Sequence, residues 1–393
     1  MNILFLLGQF PSIGGVETVS TVLANNFSKL GHNVHVASFE QKIDRPSPPL
    51  SQSVECHQFS YPTLSVSNIC KLHELLKKHN IDFIINQWCL PYHVTLLCRA
   101  SMFHTNCKLI AVHHNTPDNN ARIEYYRLKL LASTSWYRKA ICVLLLKLCR
   151  IITGLSLRMV YNSSHAYVVL SDSFHGAFQK ITGFSKTPKL HTITNPLTID
   201  EFGECSNKKN NEILYVGRLE HNQKRVSRAL EVWHLLEKDF PDWKLRIVGD
   251  GPERQSLENM IVKYALKRVS LEGFRSPEPY YRTASILVLT SEYEGFPLVL
   301  PEAMSMGVVP VVYASYSAAY DLIDDGTNGF LISAKDGFSA KTMARCLRNL
   351  MTEQARLQEV SQNAKEKAKC FMLSTITNLW MNLFEKLKNE RYQ

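Results

Sequence analysis

Ser285-Ile286-Leu287-Val288-Leu289-Thr290-Ser291-Glu292-Tyr293-Glu294-Gly295-Phe296-Pro297-Leu298-Val299-Leu300-Pro301-Glu302-Ala303-Met304 holds a strand, a broken turn and the opening of a helix. The apolar run 285–290 has the length of a strand buried on both faces. Gly295 and Pro297 interrupt the chain. Leu298 to Met306 then reads as a helix that begins beside Gly295. A helix start offers free backbone N–H groups and a positive dipole end, which suits an anion. Glu294 and Glu302 flank this start, eight positions apart. Carboxylates do not hold phosphate, but they accept hydrogen bonds from hydroxyls. The stretch therefore reads as a holder for a molecule with both phosphates and hydroxyls, a nucleotide sugar.

The same alternation of short apolar runs and helices fills both halves of the chain. Strands are expected near 2–8, 33–38, 81–86, 108–113 and 166–170, with helices near 15–30, 69–79 and 91–102. A second series places strands near 212–216, 244–248, 268–272, 285–290 and 308–312. Its helices fall near 224–238, 252–265, 278–283 and 298–306. This predicts an α/β protein of two Rossmann-like, doubly wound domains, and 393 residues suffice for two. The polar run Phe202 to Asn211, after Asn195-Pro196, reads as the linker. Domains are expected at 1–197 and 198–370, with a C-terminal helix over 371–393 returning to the first. That helix sets Leu379, Trp380, Leu383 and Phe384 on one side. Open α/β sheets bind ligands at the carboxyl ends of their strands, so a cleft between the two domains is the expected site.

The remaining motifs fall at such strand ends. Gly14-Gly15 opens the first helix, where glycine lets backbone approach an anion. Gly217-Arg218-Leu219, then Lys224, is a phosphate-binding layout: Arg forks two oxygens and Lys supplies a point charge. Arg225 and Arg228 read as solvated or structural. Val248-Gly249-Asp250-Gly251-Pro252 permits close contact at Gly251 and starts a helix at Pro252. Phe274 follows the next strand, where core packing and ligand contact are equally open. His113-His114-Asn115 ends a strand in the first half, where an imidazole can hydrogen-bond a substrate.

These motifs, in this order, resemble the retaining glycosyltransferases of family 4. The resemblance rests on Glu294-Gly295-Phe296-Pro297 with Pro301-Glu302-Ala303-Met304, on Arg218 and Lys224, and on the glycine loop at Gly15. It is strong over 212–335, moderate over 1–40, and rests on His114 alone between 40 and 190. It implies the GT-B fold. It also implies transfer of a sugar from a nucleotide diphosphate donor, UDP-linked by default, to a glycan or lipid-linked acceptor of a bacterial-type surface polysaccharide. Arg218 and Lys224 would hold the diphosphate, Glu302 the ribose, Glu294 the transferred sugar. The backbone around Phe274 would read the base, and His114 would approach the sugar. The resemblance implies retention by same-face attack, with no cofactor; the chain contains no Asp-x-Asp metal motif. The segment Tyr313 to Tyr320 departs from the family, which carries a glycine pair and then Glu there; here Asp321 takes the acid's place. A nucleotide-sugar epimerase of the same fold and a non-catalytic nucleotide-sugar-binding partner are the alternatives.

The formal charge of +10 is concentrated. Residues 121–160 carry eight Lys or Arg against one acid, Glu124. Lys147 and Arg150 interrupt the apolar run before it could span a bilayer. Two readings are equally open: a basic amphipathic helix on an anionic membrane surface, or an ordinary helix of the first domain. No nucleic-acid-binding motif accompanies the charge. Ten scattered cysteines lack metal-ligand spacing and read as small buried residues in a reducing compartment. The first residues read as a strand rather than a signal peptide, which predicts a cytoplasmic protein, peripheral on the inner membrane face if the basic helix docks.

Overall fold

A computed structural model describes residues 1–12, 14–41, 49–199 and 209–390. By contact the chain divides into two compact units, Met1–Asn195 with Ile376–Gln393, and Pro196–Thr375. Residues 202–208 of the expected linker lie outside the described residues.

The first unit runs β1 (Asn2–Gln9), α1 (Gly15–Lys29), β2 (Asn33–Glu40), β3 (Glu55–Gln58), α2 (Val66–Lys78), β4 (Phe83–Asn86), α3 (Tyr92–Ser101), β5 (Lys108–His113), α4 (Ala121–Ala132), α5 (Trp136–Ser163), β6 (Ala166–Val169), α6 (Phe174–Thr182) and β7 (Leu190–Thr192). Its seven strands lie in the order β3-β2-β1-β4-β5-β6-β7, and every pairing is parallel. The second unit runs β8 (Glu212–Val216), α7 (Ser227–His234), β9 (Lys244–Val248), α8 (Arg254–Lys263), β10 (Val269–Gly273), α9 (Glu278–Thr283), β11 (Ile286–Leu289), α10 (Val299–Ser305), β12 (Val309–Ala314), α11 (Ala318–Leu322), β13 (Phe330–Ser333), α12 (Ala340–Thr352) and α13 (Gln354–Ala368). Its six strands lie in the order β10-β9-β8-β11-β12-β13, also parallel throughout. Ile3–Leu7, Phe83–Ile85 and Ile286–Leu289 are buried along their whole length. That is why they read as unbroken apolar runs: helices cover both faces of a parallel sheet.

The expected strands are all present. The sequence pattern missed β3, β7 and β13, which are short and lie at or beside sheet edges, so their apolar signal is weak. The helix expected over 224–238 is shorter, Ser227–His234, and leaves Lys224 in the turn before it. The cysteine expectation needs correction: among the nine described, Cys56, Cys70 and Cys370 are exposed, although none is in a disulfide.

The last helix, α14 (Leu373–Asn389), belongs mainly to the first unit. Ile376, Trp380, Leu383, Phe384 and Leu387 are buried, at the spacing of one helical face. Leu379, expected on that face, is exposed. The Phe384 ring lies 4.5 Å from that of Phe83 and 5.7 Å from that of Phe27, and Asn26 donates to the Thr377 hydroxyl at 2.6 Å.

A second correction concerns α5. It is continuous over 28 residues and, by length and composition alone, long and apolar enough to cross a membrane. Its C-terminal half is bound to the first unit instead. Leu157, Val160 and Tyr161 are buried, and a Cβ on Gly154 would collide with the Ile181 carbonyl. Thr153 accepts from Asn120 at 2.9 Å. Its outer face carries Leu144, Leu148, Ile151 and Leu155, all exposed.

Phe384→Ala should remove about 3–5 kcal/mol from the first unit. Hydrogen-exchange mass spectrometry should show faster exchange in β1 and β4, while β8 and β11 keep their protection.

Candidate functional site

In the second unit β8 lies between β9 and β11. Chain direction across the sheet reverses there, and loops leaving the carboxyl ends of β8 and β11 diverge at that point, where doubly wound sheets bind ligands. Arg218 and Lys224 follow β8; Glu294 follows β11.

The β8 loop is held by backbone. Gly217 N–H donates to Val248 at 3.0 Å, Leu219 N–H to Asp250 at 3.0 Å, and Glu253 N–H to the Leu219 carbonyl at 3.1 Å. These approaches leave no room for a Cβ at Gly249, against the Gly217 carbonyl, or at Gly251, against the Leu219 carbonyl. The Glu220 carboxylate then caps the turn, accepting from the backbone N–H groups of Asn222 at 2.9 Å and Gln223 at 2.7 Å. Burial works upward on the Glu220 pKa, but those two N–H groups and the Arg218 charge outweigh it and hold the carboxyl below its ordinary range. Arg225 completes the turn with φ of +49°, a left-handed backbone that a non-glycine residue adopts only when its surroundings impose it.

This turn is laced to the β11 loop. Glu292 N–H donates to the Gln223 carbonyl at 2.7 Å, and Gln223 Nε2 donates to the Tyr293 carbonyl at 3.2 Å and to Glu294 Oε2 at 3.4 Å. Thr290 Oγ1 donates to the Arg225 carbonyl at 3.1 Å. Arg228 donates to the Thr290 carbonyl at 3.0 Å and pairs with Glu292 at 2.7 Å, beneath the rings of Tyr313 and Phe338; its role is structural. At the centre, Lys224 Nζ meets Glu294 Oε1 at 2.6 Å. Arg218 is exposed.

Glu302 lies in the first turn of the short helix α10 and is buried. Thr198 donates its hydroxyl to Oε1, and the Tyr281 hydroxyl donates to Oε2 at 3.2 Å. Burial pushes the Glu302 pKa up to about 7, although both hydroxyls pull it down. Phe296 and Pro297, expected against the donor, are buried; the Phe296 ring packs 5.8 Å from that of Phe371. Gly295 between them and Glu294 is partly exposed. Phe274 is 64% exposed, which removes the core-packing alternative.

The divergent segment after β12 brings in a residue that the motifs did not name. Tyr316 is buried, and its hydroxyl has no hydrogen-bond partner among the described residues. Burial and then the Glu294 charge raise its pKa well above the ordinary value, so it is a neutral donor beside Glu294. Gln223, Thr198 and Tyr281 were also missed. Gln223 had a signal in its position next to Lys224; the other two are remote in sequence and had none.

In the first unit the corresponding reversal lies between β1 and β4. A hollow of about 190 Å³ opens there, lined by Gly8, Val16, Glu17, Gln87 and Trp88 among others. Gly15 starts α1 and is exposed. His114 shares a 2.6 Å hydrogen bond between Nε2 and Gln87 Oε1; since the amide oxygen only accepts, the ring is the Nε2–H tautomer. Burial, then His113, lowers the His114 pKa to about 3. His113 faces inward, with Nδ1 at 2.9 Å from the Tyr167 hydroxyl. Larger hollows lie elsewhere: one of about 440 Å³ beside β13 and α12, one of about 410 Å³ at β2 and β3.

Comparison with known proteins covers most of the chain. Residues 13–201 match the model of Glycosyltransferase Family 4, and residues 199–367 that of Glycosyl transferases group 1. The chain is 31% identical over 234 residues to a Campylobacter jejuni protein named GalNAc-alpha-(1->4)-GalNAc-alpha-(1->3)-diNAcBac-PP-undecaprenol alpha-1,4-N-acetyl-D-galactosaminyltransferase. That match covers 59% of this chain and 63% of the relative. It is 25% identical to the amylovoran biosynthesis glycosyltransferase AmsD of Erwinia amylovora, over 83% of this chain and 84% of that one. HepE of Anabaena, crystallised in complex with UDP, superposes with a TM-score of 0.73 at 17% identity, over 98% of this chain and 100% of that one.

The raised pKa of Glu302 carries a pH signature. The folded state binds a proton that the unfolded chain has released between about pH 4.5 and about pH 7. Glu302 therefore adds stability below that window and loses the contribution as pH rises through 7. Melting temperatures of wild type and Glu302→Gln between pH 5 and pH 8 should show a steeper fall in the wild type.

Proposed function

The chain belongs to the group 1, family 4 glycosyltransferases and has the GT-B fold, and on that premise we propose that it moves a sugar from a nucleotide diphosphate donor to a lipid-linked or glycan acceptor, with retention. Relatives in the synthesis of polysaccharides and lipid-linked glycans support the general role. UDP in the HepE complex supports a uridine donor. The name of the Campylobacter relative, which includes a PP-undecaprenol, supports a lipid-linked acceptor.

One observation carries the mechanism: Lys224 and Glu294 meet at 2.6 Å between two loops laced by backbone. We read this pair as the resting state. When the donor binds, Lys224 turns to the diphosphate, and Glu294 accepts hydroxyls of the transferred sugar in exchange. Arg218, exposed beside it, adds a second cation. As the glycosidic bond breaks, negative charge grows on the leaving diphosphate, and the two cations stabilise it without reorganising. The acceptor hydroxyl attacks the same face and passes its proton to a departing phosphate oxygen. Glu302 anchors the ribose beside the Thr198 and Tyr281 hydroxyls, the backbone near Phe274 meets the base, and Gly251 lets backbone approach the ligand. Gly15 lies against the donor phosphate. His114, neutral at any physiological pH, acts as a hydrogen-bonding group toward the sugar and not as a proton donor.

In an assay that follows nucleoside diphosphate release from UDP-sugars on addition of undecaprenyl-linked acceptors, Lys224→Met and Glu294→Gln should each abolish transfer while circular dichroism stays unchanged. Near wild-type turnover in either variant would overturn the assignment. Donor consumption that yields an epimer and no free diphosphate would favour an epimerase instead.

We further propose that α4 and α5 rest on the anionic inner face of a membrane. The support is the exposed stripe Leu144, Leu148, Ile151 and Leu155, with Trp136 81% exposed at its start and Arg138 and Lys147 alongside. An apolar helix face with basic flanks and an interfacial Trp is suited to that surface. Co-sedimentation with vesicles should rise with anionic lipid and fall with salt. Leu144→Gln with Leu148→Gln should reduce it, and binding indifferent to both lipid charge and salt would remove the proposal.

A further inference from the structure

A cluster of histidines stands at the amino ends of the first unit's strands, the end opposite to the loops that follow β1 and β4. His35 is the register partner of Glu55 across the parallel pair β2 and β3, and Ala37 that of His57. The two-residue period of a strand keeps Glu55 and His57 on one face of β3 and sends Cys56 to the other. His79, which caps the end of α2, closes the group from the side.

The atoms converge. His35 Nδ1 lies 3.2 Å from His57 Nε2 and 3.6 Å from Glu55 Oε2. His57 Nε2 lies 3.9 Å, and His79 Nε2 4.0 Å, from the same carboxylate oxygen. The His79 ring lies 4.4 Å from that of His35, tilted by 59°. Two ligands on a tetrahedral zinc with bonds of about 2.0–2.1 Å stand roughly 3.3 Å apart. Two of the three separations in this cluster, 3.2 and 3.6 Å, are within a few tenths of an ångström of that spacing, and the third, 3.9 Å, needs a modest closing of Glu55, which is exposed.

We propose that His35, Glu55 and His57 form a metal site for Zn²⁺ or a similar borderline divalent cation, with His79 or water as fourth ligand. Imidazole and carboxylate are the donor set such ions take. Among the described residues, these are the only three His, Cys, Asp or Glu side chains that converge closely enough to hold an ion. The hollow of about 410 Å³ lined by His35, Glu55 and His79 gives a path of entry, and Glu55 is exposed.

The protonation states agree. Burial first, then the neighbouring His79, lowers the His35 pKa to about 4; burial also lowers that of His57, against the pull of Glu55. Neutral imidazoles are the metal-binding form. Binding needs His35 with its proton on Nε2 and His57 with its proton on Nδ1, so the hydrogen bond between the two rings is replaced by two bonds to the ion, through a tautomer change and without net proton release. Lys78, on the rim of the hollow, and Lys71 oppose the incoming charge. The site ties β2, β3 and α2 together, away from the donor residues, so its role is structural and not part of the transfer step.

The test is a Zn²⁺ titration of the full chain, freed of metal with a chelator, by calorimetry, with Co²⁺ as spectroscopic probe. The expected result is saturation at about one ion per chain, a raised melting temperature, and a four-coordinate Co²⁺ spectrum without thiolate charge transfer, which separates this site from exposed cysteines. Glu55→Gln and His57→Gln, both at accessible positions, should weaken binding by roughly tenfold or more with circular dichroism unchanged. Absence of saturation, thiolate bands, or undiminished binding in both variants would overturn the proposal.

Discussion

The second unit depends on one constraint: the turn after β8 must be tied to the turn after β11. Glu294 is buried, and a buried carboxylate without a partner is costly. Lys224 supplies that partner at 2.6 Å. The backbone bond from Glu292 to Gln223 and the double engagement of Arg228 keep the two turns in register around it. Most of the neighbourhood serves this contact. Gly249 and Gly251 are side-chain-free because the β8 loop lies on their backbone. Glu220 caps the turn that presents Lys224, and Arg225 accepts a left-handed backbone to complete it.

This lacing gives the point of strand reversal a particular chemistry. The reversal of strand order between β8 and β11 opens a crevice, as in any doubly wound sheet, but a crevice has no reactivity of its own. Here it holds a cation and an anion in direct contact, a second cation in solvent, and a buried neutral phenol at Tyr316 whose hydroxyl lacks a partner among the described residues. A ligand with a diphosphate and several hydroxyls can satisfy all of these groups at once. Glu302 is differently placed. Burial, against the pull of its two hydroxyl partners, brings its pKa to about 7, so at neutral pH it is part protonated rather than a bare anion.

Much of this was legible in the sequence, for physical reasons. Strands buried on both faces show as unbroken apolar runs, so β1, β8, β11 and β12 were readable, whereas short β3, β7 and β13 were not. Strand ends followed by glycine and a charged residue singled out Lys224, Arg218 and Glu294 as candidates. Contacts between remote positions were not readable: nothing in the chain announces that Thr198 reaches Glu302 or that Gln87 holds His114 in one tautomer. Periodicity also misjudged faces, as at Leu379, and Lys147 and Arg150 do not keep the apolar run of α5 below the length of a membrane span. The histidine cluster was invisible for the same reason as Thr198, since its members come from β2, β3 and the end of α2.

The central claim is that Lys224 exchanges Glu294 for the diphosphate of a donor. Calorimetric titration of UDP into wild type, Lys224→Met and Glu294→Gln tests it most directly, because UDP carries the diphosphate but not the transferred sugar. Lys224→Met should lose roughly tenfold or more in affinity, about 1.4 kcal/mol, whereas Glu294→Gln, with Lys224 released from its partner, should bind UDP at least as tightly as the wild type. Wild-type affinity in Lys224→Met, or a loss confined to Glu294→Gln, would contradict it.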